Sequence, residues 1–178
     1  RRQDGGYLWV LARGVAERDH EGQRRMAGSQ SDISARKAVE QQLRHAARHD
    51  PLTGLRNRIH FEEQMAALEQ SPLLPIAVMV LDLDGLKQVN DALGHHAGDL
   101  MLQAAAAIIR DAAPTESTVS RIGGDEFALL LPDTDFAVID AIRRRILAKV
   151  DHYNSEHPQQ PLGISIGFAI ADALHVSM

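Results

Sequence analysis

Four acidic residues fall where strongly apolar, strand-like runs begin or end. Asp82 and Asp84 close the run Ile76-Ala77-Val78-Met79-Val80-Leu81-Asp82-Leu83-Asp84, and Asp125 and Glu126 follow Gly123-Gly124 directly. A carboxylate in a buried strand is costly unless it is paired or binds a cation. Two such clusters meeting at one end of a sheet make an all-oxygen site suited to Mg²⁺ or Mn²⁺. Gly85 lets backbone amides come close to a ligand, and the helix after it offers a positive N-terminus to an anion. Lys87, in that first turn, adds a point charge for phosphate. Carboxylates, a divalent cation, a helix N-terminus and a lysine together describe a nucleoside triphosphate site for phosphoryl transfer. Taken singly, each acid is better explained as a helix cap or a solvated turn residue. Only their joint placement at strand ends points to chemistry.

The elements that must position these residues follow from periodicity. Tyr7-Leu8-Trp9-Val10-Leu11, the turn Asp19-His20-Glu21-Gly22 and the return Arg24 to Ile33 read as a two-stranded hairpin. An isolated hairpin buries too little to offset chain ordering, so it must lean on the remaining chain or on a sheet lying outside it; the second is favoured. Ser34 is placed to cap a helix running to about Arg48. Val39, Leu43 and Ala46 form a narrow apolar seam on it, which fits either a parallel coiled-coil linker or an amphipathic helix lying on its own domain. Asn57 opens a helix with Phe61, Met65 and Leu68 on one face, ending before Ser71-Pro72. The strand closed by Asp82 and Asp84 comes next, then a helical stretch from about Leu86 to Ala112, with breaks expected near Gly94 and Gly98. Val119 to Ile122 and Asp125 to Leu131 flank Gly123-Gly124 as a second hairpin. Ile139, Ile142, Ile146 and Val150 mark a further amphipathic helix, and Leu162 to Phe168 a last strand. Helices alternating with strands and one hairpin give an α/β class on a mixed sheet.

Composition narrows the options. Of 178 residues 24 are acidic and 19 basic, a net charge of −5, which argues against general coating of nucleic acid. There is no cysteine, so disulfides, thiolate zinc sites and a cysteine nucleophile are excluded. No apolar run approaches the length of a membrane span, and no signal peptide is visible at Arg1-Arg2-Gln3-Asp4, so a cytoplasmic domain is expected. His45 and His49 have a spacing that can bind zinc, but the intervening glutamate and a third ligand are missing, so no zinc site is expected. Tyr7 and Trp9 read as hairpin packing.

The run Arg121-Ile122-Gly123-Gly124-Asp125-Glu126-Phe127 resembles the signature of GGDEF domains, the diguanylate cyclases. Asp50-Pro51-Leu52-Thr53-Gly54-Leu55-Arg56-Asn57-Arg58 is similar to that family's opening motif. Asp82 to Asp91, with Gly94-His95 and Gly98-Asp99, is similar to its nucleotide-binding run. Three motifs in order across residues 50 to 168 make the match specific. The resemblance implies a palm-like mixed sheet flanked by helices, shared with nucleotidyl cyclases and polymerases. It implies condensation of two GTP into cyclic di-GMP with release of two pyrophosphates. By position, Asp82, Asp125 and the carbonyl of Leu83 would hold two Mg²⁺ (or Mn²⁺) ions. Amides around Gly85 and Leu86, with Lys87, would hold phosphates; Asn90 and Asp99 would read the guanine edge, with His95 near the nucleotide. Asp125 or Glu126 would accept the proton of the attacking 3′-hydroxyl, Asp125 being favoured. One GTP per domain makes a homodimer part of catalysis.

Asp4 to Val10, Arg18 to Gly22 and Gly28 to Ser34 resemble the last two strands of a PAS sensor domain, and Ala35 to Glu40 its exit helix. The expected organisation is therefore a PAS-derived hairpin over 1–33, a linker helix over 34–49 and a catalytic domain over 50–178. The regulated whole would include an upstream PAS sensor, with a further C-terminal module hinted at by Asp151 to Asn154 and the final strand. The sequence departs from the family twice. Pro114-Thr115-Glu116-Ser117 stands where an inhibitory Arg-x-x-Asp is usual, so product inhibition through that motif is not expected. The chain also reaches Met178 before the family's last basic helix, so weakened GTP binding is expected.

Overall fold

The computed structural model describes residues 7–18, 20, 22–69 and 75–171. Expectations for residues 1–6, for Asp19 and Glu21 of the turn, for Ser71-Pro72 and for the segment after Ala171 lie outside the described residues. The chain divides into two compact units, Arg1–His45 and Ala46–Met178.

In the first unit, β1 (Val10–Arg18) and β2 (Arg24–Asp32) pair antiparallel from Val10 opposite Asp32 to Arg18 opposite Arg24. The first strand begins later than the aromatic cluster suggested and runs on through Gly14, because pairing rather than side-chain type sets its length. Every residue of both strands is exposed. The helix α1 (Ser34–Ala46) follows. Ser34 does not cap it as expected: its hydroxyl accepts the Trp9 amide at 3.1 Å, while Asp32 Oδ1 takes the Ser34 amide at 2.8 Å. The Lys37 ammonium lies 5.8 Å from the Trp9 ring centre. No residue of α1 is buried, and the seam residues Val39 and Leu43 are exposed.

The second unit is built on a five-stranded sheet in the order β3-β5-β6-β4-β7. These strands are β3 (Arg56–Asn57), β4 (Ile76–Asp84), β5 (Thr118–Arg121), β6 (Glu126–Pro132) and β7 (Gly163–Ala171). β4 pairs antiparallel with β6 and β7, and β5 antiparallel with β6, while β3 lies parallel to β5. The mixed sheet is thus as expected, apart from β3, which has two residues and no apolar alternation to announce it. The helices are α2 (Arg58–Glu69), α3 (Leu86–Leu93), α4 (His95–Ala112) and α5 (Phe136–Glu156).

Alternation along β4 selects the core face. Ala77, Met79, Leu81 and Leu83 are essentially fully buried, and they join Phe127, Leu129 and Leu131 of β6. The cover comes from α4 (Leu102, Ala105, Ala106, Ile109) and α5 (Ile139, Ile142, Ile146, Val150), whose apolar residues recur every three or four positions. Each large side chain so buried contributes about 1.5–3 kcal/mol of hydrophobic stabilisation before entropy is counted. The Leu86–Ala112 stretch breaks once, at Gly94 and not at Gly98. Gly94 has φ 85° and ψ 162°, a region open essentially only to glycine, and its amide closes α3 on the Asn90 carbonyl at 2.9 Å.

A polar brace joins the start of this unit to its hairpin. The Arg121 guanidinium donates to Asp50 Oδ1 at 3.2 Å and to the Gly124 carbonyl at 2.7 Å. Asp50 also accepts from the Thr53 amide at 2.9 Å and hydroxyl at 2.7 Å. Burial alone would raise the Asp50 carboxyl, but the Thr53 hydrogen bonds and the Arg121 charge outweigh it and hold the carboxyl below its ordinary range. The folded value then lies under the unfolded one of about 3.9, so the stabilisation is complete above that value and is lost as pH falls through the folded one. Asp50→Asn is expected to lower stability by about 1–3 kcal/mol at neutral pH. In urea unfolding across pH, its deficit against the parent should shrink on acidification; a deficit that stays constant would remove the carboxylate charge from the account.

Candidate active site

The acidic cluster is assembled by strand register. β4 places Asp82 opposite Glu126 of β6 on one side and opposite Ser165 of β7 on the other. One residue on, the Leu83 amide donates to the Asp125 carbonyl at 3.0 Å. The tip after Gly123-Gly124 is therefore seated beside Asp82, and the two carboxylate-bearing segments meet at one end of the sheet. Hairpin closure fixes the tip from within, since the Ile122 and Gly123 amides both donate to the Glu126 carbonyl, at 2.9 and 3.3 Å. The Glu126 side chain lies so close over Gly123 that a β-carbon there would overlap its carboxylate. The glycine is required by close approach rather than by a special turn.

Contrary to the expectation from sequence, the carboxylates do not sit in a buried strand. Asp82, Asp84 and Glu126 are exposed and Asp125 is half-buried, because the buried run of β4 gives way to alternation at Val80. No burial penalty forces these acids to bind a cation. Among the described residues, no donor hydrogen-bonds the carboxylates of Asp82 or Asp125, so their oxygens remain open to a ligand. Asp84 is different: its Oδ1 accepts from the Ser165 hydroxyl at 2.9 Å, and its side chain packs on Gly163. Among the described residues no three histidine, aspartate or glutamate side chains form a ready cage for a metal ion. Two open carboxylates with a strand carbonyl at Leu83 still fit a hard cation such as Mg²⁺, which takes one or two protein carboxylates and completes its shell with phosphate oxygens and water.

The residues expected to hold phosphate lie at the β4–α3 junction. Gly85 adopts φ 79° and ψ 8°, the left-handed conformation that turns the chain straight from strand into helix. No side chain caps α3, so the amides of its first turn, from Leu86 and Lys87 onward, keep their donor capacity for an anion. Lys87 is exposed in that turn.

The residues expected from the resemblance to read the base lie at the corner between α3 and α4. The Asn90 side chain lies directly against Gly98, where a β-carbon would overlap its amide, and Asp99 is the next residue. His95 is the first residue of α4 and is exposed. The structure thus brings Asn90, His95 and Asp99 to one corner, and Asp82, Asp125, Glu126 and Leu83 to one strand end, with Gly85, Leu86 and Lys87 at the junction of the two. His45 and His49, the spacing considered for zinc, belong to no metal cluster among the described residues.

Three supporting residues were not assigned a role from sequence. Ser165 holds Asp84, and Arg121 holds the Gly124 carbonyl. Arg58, at the start of α2, is ion-paired with Glu62 at 2.7 Å and feels the charge of Glu126, both of which favour its charged form. Arg58 and Arg121 lie within the quoted motifs, which is the signal that could have singled them out; Ser165 carries none.

Comparison with known proteins bears on the family and the fold. The profile described as "Diguanylate cyclase, GGDEF domain" matches residues 47–177. The chain is 36% identical over 146 residues to the probable diguanylate cyclase DgcE of Escherichia coli, covering 79% of this chain and 13% of that protein. It is 34% identical over 148 residues to the cyclic di-GMP phosphodiesterase PdeB of Shewanella oneidensis, covering 82% of this chain and 17% of that protein. The chain thus spans less than a fifth of the length of either relative. Among solved structures, the coiled coil and GGDEF domain of DgcB from Caulobacter crescentus in complex with c-di-GMP superposes with a TM-score of 0.68 at 26% identity. That match covers 79% of this chain and 78% of that one. The SiaD diguanylate cyclase of Pseudomonas aeruginosa, solved with its activator SiaC, gives 0.63 at 27% identity over 77% of this chain and 55% of that one. Motifs, fold and profile converge, and the chain belongs to the GGDEF diguanylate cyclase family.

Proposed function

We propose that this chain is the output module of a diguanylate cyclase, joining two GTP into cyclic di-GMP and releasing two pyrophosphates. The observation that carries the reading is the β4–β6 register, which sets Asp82 opposite Glu126 and Asp125 beside Leu83, next to an uncapped helix N-terminus. Asp82, Asp125 and the Leu83 carbonyl would hold two Mg²⁺ or Mn²⁺ ions. When bound, these ions would neutralise charge on the α-phosphate and make the attacking hydroxyl more acidic. The first-turn amides of α3 and the Lys87 ammonium hold the triphosphate. Asn90 supplies a donor and an acceptor to the guanine edge, and Asp99 accepts from its N1 and N2 hydrogens. Asp125 accepts the proton of the 3′-hydroxyl as it attacks; Glu126 is the other carboxylate within the same tip.

Each domain presents one nucleotide, so the reaction needs two copies face to face, with the hydroxyl of one substrate directed at the α-phosphate of the other. The exposed seam of α1 supports a linker role, and the fully exposed β1–β2 hairpin supports its being the end of a PAS sensor sheet. A cytoplasmic setting agrees with a GTP substrate. No described helix is long and apolar enough to cross a membrane.

A second reading is supported by the relative named for cyclic di-GMP breakdown: a domain of this kind that binds GTP or cyclic di-GMP and regulates a neighbour without turnover. The two differ in one measurement. On the cyclase reading, purified protein releases pyrophosphate from GTP in a Mg²⁺-dependent manner, and Asp125→Asn lowers the rate by about 100-fold or more while leaving the circular dichroism spectrum unchanged. GTP binding without pyrophosphate release would favour the regulatory reading. Asn90→Ala is expected to raise KM for GTP about tenfold or more with a smaller change in kcat. An unchanged preference for GTP over ATP in that variant would remove Asn90 from base recognition.

A further inference from the structure

Asp84 occupies a position from which aspartate ordinarily hydrogen-bonds its own backbone. It directly precedes Gly85, whose left-handed conformation turns the chain into α3. A carboxylate there is placed for an Asx turn, accepting the amide two residues on, which is that of Leu86. The positive end of the helix dipole draws it the same way. That hydrogen bond is not made, and no side chain caps α3. The carboxylate goes instead to β7. Its Oδ1 accepts from the Ser165 hydroxyl at 2.9 Å, the single hydrogen bond of this side chain among the described residues. Two features of β7 make the arrangement possible. Register sets Asp84 opposite Gly163 and Asp82 opposite Ser165, so the hydroxyl reaches Asp84 diagonally across the strand pair. Gly163 clears the space: a β-carbon there would lie 2.9 Å from Asp84 Oδ2 and 3.0 Å from Asp84 Cβ, closer than side chains pack. Asp82, two residues earlier on the same face, has no such tether.

We propose that Ser165 is a positioning residue: with the space left by Gly163, it holds the Asp84 carboxylate against β7 and so keeps the Leu86 amide free for an anionic ligand. The identity of that anion, the phosphate chain of a nucleotide, rests on the cyclase reading. A carboxylate bound to Leu86 would consume a donor that phosphate needs, and would set a negative charge beside the incoming oxygens. Tied to β7, the same carboxylate leaves the donor open. The two acids of β4 thus have different tasks, Asp82 with an open carboxylate and Asp84 with one that is held aside.

The test uses the whole chain and guanosine diphosphate with Mg²⁺, a probe that lacks the leaving pyrophosphate and is not consumed. Ser165→Ala releases Asp84, and affinity for the probe by calorimetry is expected to fall about tenfold, the scale of one charge-assisted contact. Amide NMR without nucleotide gives a second readout. In Ser165→Ala the Leu86 proton should move downfield and exchange more slowly, as Asp84 accepts it. Both changes are expected to vanish when Asp84→Ala is added, and to be absent in Ser165→Thr, which keeps the hydroxyl. Gly163→Ala, which crowds the carboxylate off β7 by another route, should reproduce them. Ser165 and Asp84 are both exposed, so their variants leave the core packing intact. A Leu86 amide indifferent to Ser165→Ala, or a loss of affinity that persists once Asp84 is removed, would overturn the proposal. If the parent itself does not bind the probe, the cyclase reading fails, and the Leu86 amide alone then upholds or overturns the tether.

Discussion

The antiparallel pairing of β4 with β6 is the constraint on which the site depends. Register along two strands is all-or-none, because a slip of one residue sends every side chain to the opposite face. Here it is pinned by Met79, Leu81 and Leu83 facing the core together with Phe127 and Leu129. With those residues inside, Asp82 and Glu126 can only be neighbours, and the Leu83 amide can only meet the Asp125 carbonyl. The hydrophobic core thus sets the spacing of groups that are themselves exposed, and the acids need no interaction with one another to be held in place.

Around that fixed strand end, glycines do the local work by different means. Gly85 supplies a backbone conformation, turning β4 into α3 without a loop. Gly98 and Gly123 supply space, the first for the Asn90 amide and the second for the Glu126 carboxylate. Gly94 separates α3 from α4, so that the two helices turn a corner instead of continuing as one rod. The α3–α4 corner and the acidic strand end are consequently joined through a single eight-residue helix, which keeps their separation short and stiff.

Much of this was legible in the sequence because it rests on patterns that residue type alone encodes. The apolar run of β4, the Gly-Gly hairpin and the threefold-to-fourfold spacing of α4 and α5 each bury one face, and burial leaves a periodic trace. The Gly94 break was legible as a glycine but not distinguishable from Gly98, since the two act through backbone angle and through space respectively. What was missed has no periodic signature. β3 is two residues long and defined only by its pairing with β5. The cap of α1 shifted from Ser34 to Asp32 because the Trp9 amide, distant in sequence, claims the serine hydroxyl. The exposure of Asp82 and Asp84, by contrast, is legible in the alternation Leu81-Asp82-Leu83-Asp84, which puts both acids on the face opposite the core.

The Asp50–Arg121–Gly124 brace has a mechanical corollary. Asp50 stands near the first residues of the second unit and Gly124 at the turn that carries Asp125, yet two side-chain contacts connect them. A tug on the backbone at residue 50 has a load path to the hairpin tip that bypasses the hydrophobic interior altogether. Such a strut couples the tip to the chain at residue 50 through side chains alone, in parallel with the packed layers beneath it.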